Sequence, residues 1–252
     1  MSRDRDVAES FTLGAAQIEP GYHDAEATLD KTCRWIDRAG DAGVDVLVFP
    51  ETYFPGYPYW RRSTSIARWT DLMVDLAENS LHVDDDAVAT IGEAVADADL
   101  HLVLGTNEVD DRPGSGTLYN SLFFFDRSGD LVRRHRKLMP THDERAIWGR
   151  GDPEHLAVHD TDVGRLGGLV CGRVRVCDRV RVCGRVRLRG RTRVCDVVPV
   201  CGRVRVGALA PVRRLGADAP RQRAVTVRRD GDADRSGGGV PVAAAQPLVE
   251  IQ

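Results

Sequence analysis

Three residues with the chemistry of a covalent hydrolase each follow the end of a predicted strand. Glu51 comes after "VLVFP", Lys137 after "RRHR" and Cys171 after "GGLV". Side chains at the ends of buried strands reach the cleft at the sheet edge rather than the core. We therefore expect these three side chains to converge within several Å of one another.

These residue types together provide the groups that an acyl-transfer reaction needs. A cysteine becomes a strong nucleophile when a nearby base or cation favours its thiolate. A carboxylate can relay protons, and a lysine ammonium can stabilise negative charge that develops on an attacked bond. Any one of them taken alone is more often a solvated or packing residue, so the prediction rests on the sequence that surrounds them.

The sequence around these residues resembles the nitrilase and cyanide hydratase branch of the carbon–nitrogen hydrolase superfamily. The resemblance covers about residues 10–171 and is carried, in order, by "AAQIEP", "VLVFPETYFPGYPYW", "YNSLFFFDRSGDLVRRHRKLMPTHDERAIWGRGD" and "GRLGGLVC". The "FPE" followed by "PGYP", and the block that begins "HRKLMPT", are typical of nitrilases more than of amidases at large.

The resemblance implies a role for four residues. Glu51 matches the general base, Lys137 the catalytic lysine and Cys171 the nucleophile, and Glu144 matches a second glutamate near the site. The implied reaction converts a nitrile to a carboxylic acid and ammonia through a thioimidate and then a thioester on the cysteine. It needs no cofactor and no metal. An amide-hydrolysing relative is the enzymatic alternative, since amides share the thioester route.

A run of aromatic residues follows Glu51 and is a candidate wall for the substrate pocket, although ordinary loop packing explains it equally well. Its members are Tyr53, Phe54, Tyr57, Tyr59 and Trp60. Trp148, farther along the chain, is predicted to be structural.

The pattern of apolar residues predicts an α/β fold. Strands are expected near 11–18, 44–49, 100–106, 118–125 and 163–171, and helices near 24–43, 64–79 and 84–98. Residues 117–137 are predicted to form a hairpin that turns at "DRSGD". By resemblance, the fold is a four-layer α-β-β-α sandwich, which residues 1–171 leave incomplete because its second sheet would come largely from later residues.

The composition changes abruptly at Cys171. Residues 171–252 hold 18 Arg, no Lys and 7 acidic residues. The remaining residues, 1–170, hold 17 basic and 31 acidic residues and are here called the acidic segment. All 15 aromatic residues lie in the acidic segment. Its net charge of -14, with Lys31 and Lys137 as its lysines, indicates a surface adapted to high salt and hence a halophilic host.

A hexamer of the type CGRVRV fills residues 171–206. A β-helix would need about 18 residues per coil and would bury the alternating arginines. A zinc site is disfavoured because five-residue gaps on a strand would set the thiols about 20 Å apart. An Arg-rich tail that holds nucleic acid electrostatically is a non-enzymatic alternative, but it lacks aromatic residues for base stacking.

The preferred interpretation of this segment is a frameshift or a repeat expansion at or just after the Cys171 codon. GC-rich DNA read out of frame yields Arg, Val, Gly, Ala, Pro and Cys, and an in-phase hexamer indicates a tandem repeat of 18 nucleotides. The resemblance expects Trp and Glu after the cysteine, where this chain has Gly172 and Arg173. We therefore divide the chain into 1–171, the N-terminal part of a hydrolase domain, and 172–252, an aberrant segment expected to be irregular or disordered.

The remaining expectations concern location and partners. The sequence has no run of 18 apolar residues, and its N-terminus lacks the apolar core of a signal peptide, so a cytoplasmic protein with reduced thiols is expected. The expected partner is a small nitrile or amide, with neither a membrane nor a nucleic acid. The resemblance implies homo-oligomers for intact members, an assembly that the altered C-terminal segment makes doubtful here.

Overall fold

The computed structural model describes residues 10–62, 65–156 and 158–170, together with the backbone of Arg223–Arg228 and Leu248–Val249. The helices of this described part are α1 Ala25–Asp41, α2 Ile66–Glu78 and α3 Asp86–Ala98. Its strands are β1 Ser10–Ala15, β2 Val46–Val48, β3 His101–Val109, β4 Leu118–Phe125, β5 Leu131–Arg136, β6 His159–Thr161, β7 Gly164–Leu166, β8 Arg223–Arg228 and β9 Leu248–Val249.

Two of the predicted helices, α1 and α2, begin at polar side chains that cap them. The carboxylate of Asp24 accepts a hydrogen bond from the backbone N–H of Ala27 at the start of α1, and the hydroxyl of Ser65 accepts one from Arg68 at the start of α2. These bonds satisfy backbone donors that have no partner within the helix. The three helices predicted from periodicity are confirmed to within a few residues.

The larger sheet has the strand order β5-β4-β3-β2-β1-β8. Strands β1, β2 and β3 run parallel, whereas β4 is antiparallel to both β3 and β5. The β4–β5 hairpin turns between Asp126 and Asp130, whose backbone groups are hydrogen-bonded. The hairpin predicted from "DRSGD" is therefore confirmed.

The two faces of this sheet are both apolar. Helices α1 and α3 cover one face, where residues such as Ile36, Ile91 and Leu104 are fully buried. On the other face, Val103 and Phe124 pack against Val163 and Leu166, which belong to the segment that forms β6 and β7. A second sheet, in the order β6-β7-β9, lies on this side. The mixed α/β core agrees with the predicted fold class.

One predicted strand needs correction. The last predicted strand, 163–171, is a strand only over Gly164–Leu166. A β-carbon at Gly168 would lie 2.7 Å from Leu122 Cδ1, so the chain passes close over the sheet face at this point. Residues 172–252 were expected to be largely irregular, extended or disordered, and within them the structure describes β8, which pairs with β1, and β9, which pairs with β7. The rest of that segment lies outside the described residues.

Candidate active site

Glu51 is positioned by a tight turn directly after β2. Thr52, the next residue, has a φ of 45°, in the left-handed region, and Pro50 packs against the neighbouring strand β3. A β-carbon at Gly105 in β3 would lie 2.0 Å from the carbonyl oxygen of Pro50. Glycine at this position therefore lets the turn that carries Glu51 pack directly on the sheet.

Lys137 follows β5 and is held at the opposite side of the same cleft. Its backbone N–H donates to the carbonyl of Asn120, at 2.7 Å, and its own carbonyl accepts from Gly151 at 2.9 Å. The side chain is only 2% exposed. A lysine buried to this degree needs anionic partners, because an unpaired ammonium is costly to remove from water.

Two glutamates supply those partners. Lys137 Nζ lies 2.9 Å from Glu51 Oε1 and 2.9 Å from Glu144 Oε2. Burial lowers the pKa of Lys137, but the charges and hydrogen bonds of both glutamates outweigh burial, so the pKa is raised. The lysine is therefore an ammonium at neutral pH, as the stabilisation of negative charge requires.

Glu144 is fixed by its position in a short 3₁₀ turn, His142–Ala146. Its Oε2 accepts from the backbone N–H of Thr141 at 2.7 Å and from the Thr141 hydroxyl at 2.9 Å, which forms a capping box. Its Oε1 accepts from the Tyr57 hydroxyl at 2.7 Å. Burial raises the pKa of Glu144, but these bonds together with Lys137 outweigh burial and lower it.

The aromatic residues after Glu51 separate into two groups. Tyr53 and Phe54 are buried in the core beside Phe49, so they do not line the open cleft. Tyr57, Tyr59 and Trp60 face a cavity of about 460 Å³ instead. The other residues lining this cavity are Tyr22, His23, Arg68, Leu72 and Asp75.

Trp148 is structural, as predicted. It is buried in an apolar cluster with Leu76 and Leu118, and its indole N–H donates to Asn107 Oδ1 at 2.9 Å. Its ring also lies near the site, with Lys137 Nζ 5.8 Å from the ring centroid.

Asn120 belongs to this site, although the sequence analysis did not single it out. It lies on β4, and its side-chain Nδ2 donates to Glu51 Oε1 at 2.7 Å. The signal in the sequence was an amide, next to a serine, in the largely apolar stretch "LYNSLFFF". Polar residues inside a fully buried strand are unusual enough to mark a candidate.

Cys171 lies outside the described residues, as do Gly172 and Arg173. The chain can be followed to Val170, which is buried in the cluster on the inner face of the large sheet. Glu51 and Lys137, two of the three residues predicted to converge, are in contact, and Glu144 also contacts Lys137. The convergence of this pair with Cys171 stays a prediction.

Two properties of the described residues bear on ligands and membranes. They contain no group of three or more His, Cys, Asp or Glu side chains placed to hold a metal ion. Within the same part of the chain, no helix combines the length and the apolar character needed to cross a membrane.

The fold agrees with the sequence comparisons. Residues 12–187 match the sequence model of the carbon–nitrogen hydrolase family, and the chain belongs to this family. It is 38% identical to "Nitrilase 2" of an unknown prokaryotic organism over 161 residues, which are 64% of this chain and 51% of that protein. It is also 38% identical to a cyanide hydratase of Stereum hirsutum over 162 residues, 64% of this chain and 43% of that protein.

Solved structures support the fold. Nit3 of Saccharomyces cerevisiae, a member of branch 10 of the nitrilase superfamily, matches with a TM-score of 0.52 at 22% identity, over 68% of this chain and 58% of Nit3. The glutamine-dependent NAD+ synthetase of Acinetobacter baumannii matches with a TM-score of 0.51 at 21% identity, over 64% of this chain and 28% of the synthetase. The chain spans about half the length of the curated relatives it matches.

Proposed function

We propose that residues 1–171 carry the catalytic residues of a nitrilase, and that the segment after Cys171 prevents turnover in the chain as written. The observation that carries the first part is the pair of contacts from Lys137 Nζ to Glu51 and Glu144, each 2.9 Å long. A buried ammonium between two carboxylates, at a strand edge, is the arrangement that a Glu-Lys-Cys hydrolase requires.

In the proposed reaction, Glu51 takes the proton from the Cys171 thiol and the sulfur attacks the nitrile carbon. The proton that Glu51 has taken passes to the nitrile nitrogen as the carbon–sulfur bond forms, which gives a thioimidate. Lys137 stabilises the negative charge that develops on that nitrogen. Glu144 holds the ammonium of Lys137 in place from the side opposite Glu51.

Two water molecules complete the reaction. The first adds to the thioimidate carbon and ammonia leaves, so a thioester remains on Cys171. The second cleaves the thioester, releases the carboxylic acid and returns the thiol. The net change is one nitrile and two waters to one acid and one ammonia, with no oxidant, reductant, metal or cofactor.

The segment after Cys171 carries the second part of the proposal. A helix that begins at the cysteine would lend its N-terminal dipole to the thiolate, but an alternating Arg and Val run is poorly suited to that helix. A displacement near 1 Å already costs about a hundredfold in rate. We attribute the segment to a frameshift or repeat expansion, so another reading frame of the gene beyond codon 171 should encode Trp-Glu and aromatic residues.

A chimera tests the catalytic assignment. Residues 1–171 would be joined to the segment that follows the matching cysteine in the prokaryotic nitrilase relative, and ammonia release would be measured with nitriles and with the corresponding amides. We expect release from nitriles that Cys171→Ala or Glu51→Gln abolishes. A folded chimera without activity on either substrate class would refute the hydrolase assignment, and activity on amides alone would favour the amidase alternative.

The chain as written tests the loss of activity. We expect its ammonia release to equal that of its own Cys171→Ala variant, which is the matched control for contaminating hydrolases. Release that disappears in Cys171→Ala would show that the first 171 residues build a working site with the present C-terminal segment.

A further inference from the structure

Asn120 is a fully buried residue of β4 that lies directly beside the two charged groups of the site. Its side chain is on the face of the sheet shared with Leu122 and Phe124, since alternate residues of a strand face the same way. Its backbone carbonyl accepts the N–H of Lys137 at 2.7 Å. The residue that orients the Lys137 backbone is therefore also within reach of the Lys137 partner, Glu51.

The side chain of Asn120 bonds the same carboxylate oxygen as Lys137 does. Asn120 Nδ2 donates to Glu51 Oε1 at 2.7 Å, and Lys137 Nζ donates to that oxygen at 2.9 Å. Within the described ranges, no hydrogen bond is made to the other oxygen, Oε2. Two donors hold Oε1 in place and leave Oε2 as the oxygen without a donor among the described residues.

The orientation of the Asn120 amide follows from the same contact. With the amide reversed, its oxygen would face a carboxylate oxygen, and two acceptors would repel. In the orientation present, Asn120 Oδ1 is buried without a hydrogen-bond partner among the described residues. An unsatisfied buried acceptor is unfavourable and is concentrated at functional sites. The contact with Glu51 thus outweighs the unfavourable burial of that oxygen.

We infer that Asn120 is a positioning residue that holds Glu51 Oε1 beside Lys137, so that Oε2 is the oxygen that receives the thiol proton. The inference rests on the proposed role of Glu51 as the general base. Glu51 needs such support because its side chain is 29% exposed, whereas Lys137 and Asn120 are almost wholly buried. Without Asn120, one ion-pair contact alone would restrain a partly solvated carboxylate.

A double-mutant cycle on the full chain tests this inference without any enzyme activity. The chain has two lysines, Lys31 and Lys137, so lysine labelled with ¹³C at Cε gives two resonances. The pKa of Lys137 would be followed by NMR in the parent chain, in Asn120→Ala, in Glu51→Gln and in the double variant. We expect Asn120→Ala to lower the pKa of Lys137, because Glu51 is freed to turn towards solvent, and to have no further effect when Glu51 is already Gln.

The control is Ser121→Ala, which removes a buried hydrogen bond to a different carboxylate, Glu108, from the next residue of the same strand. It should lower the melting temperature and leave the Lys137 pKa unchanged. If Asn120→Ala does not fold, Asn120→Ser replaces it in the cycle. In addition, Glu51→Gln alone should move the side-chain amide resonances of Asn120 in the otherwise unaltered chain.

The inference is overturned if Asn120→Ala lowers the Lys137 pKa equally whether residue 51 is Glu or Gln. It is also overturned if Asn120→Ala does not lower that pKa when residue 51 is Glu. The same holds if Ser121→Ala lowers the pKa as much as Asn120→Ala does, since the effect would then be general loosening. Because the readout is the proton affinity of Lys137, a failed cycle refutes the positioning role alone. Failure of the nitrilase assignment would appear separately, as absent ammonia release in the chimera.

Discussion

Replacing Lys137 with Met should destabilise the protein by an amount that depends on pH in a specific way. Methionine keeps most of the buried aliphatic volume but removes the ammonium, so Glu144, which is 6% exposed, loses its cation. Removing one member of a buried ion pair typically costs about 3–5 kcal/mol. Glu51 contributes less to this loss because its side chain is 29% exposed and water can solvate it.

The free energy of unfolding that Lys137→Met loses through Glu144 has an upper limit, because Glu144 can bind a proton. An unpaired buried carboxylate can escape its charge by binding a proton, and its ordinary pKa is 4.5. Holding that proton at pH 7 costs about 1.4 kcal/mol for each pH unit above the ordinary pKa, or about 3.4 kcal/mol in all. We therefore expect Lys137→Met to lower the free energy of unfolding by about 3 kcal/mol at pH 7.

The pH dependence follows from the same groups. The folded-state pKa of Glu144 is lowered, so its stabilisation is present above the unfolded value and is lost as the pH falls. The folded-state pKa of Lys137 is raised, so its contribution is complete below 10.5 and is lost only at higher pH. Both contributions are therefore constant in the parent between pH 5 and pH 7. In Lys137→Met, the buried Glu144 holds a proton at less cost as the pH falls, so the variant regains stability and the difference between parent and variant should shrink by up to about 1.4 kcal/mol per pH unit from pH 7 towards pH 5.

Urea unfolding followed by circular dichroism at pH 5, 6 and 7 measures this difference. The matched control is Lys31→Met, which removes the other lysine, whose ammonium contacts only the backbone carbonyl of Glu19 among the described residues. Its effect should stay within about 0.5 kcal/mol at each pH. Equal losses in the two variants, or a loss for Lys137→Met that does not change with pH, would refute the reasoning.

Two substitutions near the site and a change of salt concentration give three further tests. Gly105→Ala should cost about 3 kcal/mol in urea unfolding, because the new β-carbon meets the Pro50 carbonyl, whereas Gly116→Ala, with open space around it, should stay within about 0.5 kcal/mol. Tyr57→Phe should lose about 1.5 kcal/mol by removing a hydrogen bond to the Glu144 carboxylate, and an unchanged stability would mean that water replaces it. The melting temperature should rise by several degrees between low salt and about 2 M KCl, since salt screens repulsion within the acidic segment, and a salt-independent midpoint would contradict the halophilic interpretation.

The sequence by itself determined the three helices and the strands β1 to β5, and it singled out two residues of the candidate site. Helix α1 and the β4–β5 hairpin were predictable because their apolar spacing and turn residues act over a few positions of the chain. Glu51 and Lys137 were predictable for a similar reason, since each is the first polar group after a predicted strand. Resemblance to nitrilases added Glu144, whose role no local pattern shows.

The loop after Glu51 shows what only the tertiary structure decided. Tyr53, Phe54 and Tyr57 are all aromatic residues in one short loop, so their sequence gives no reason to place them differently. Phe54 is buried because its backbone pairs with β3, where it donates to the Gly105 carbonyl and accepts from the Asn107 N–H. Tyr57 instead reaches Glu144, 87 residues away. Contacts between residues that lie so far apart in the sequence depend on how whole helices and strands pack against one another.

Asn120 and the charge state of the cluster were likewise decided by the fold. An asparagine within a strand has no local signal for a partner 69 residues earlier. The pKa of Lys137 is raised because Glu51, 86 residues earlier, and Glu144 meet it in a buried space. Local sequence patterns specify which residues stand at the ends of strands. The strand order of the sheet brings those ends together, and burial then makes their charges interdependent.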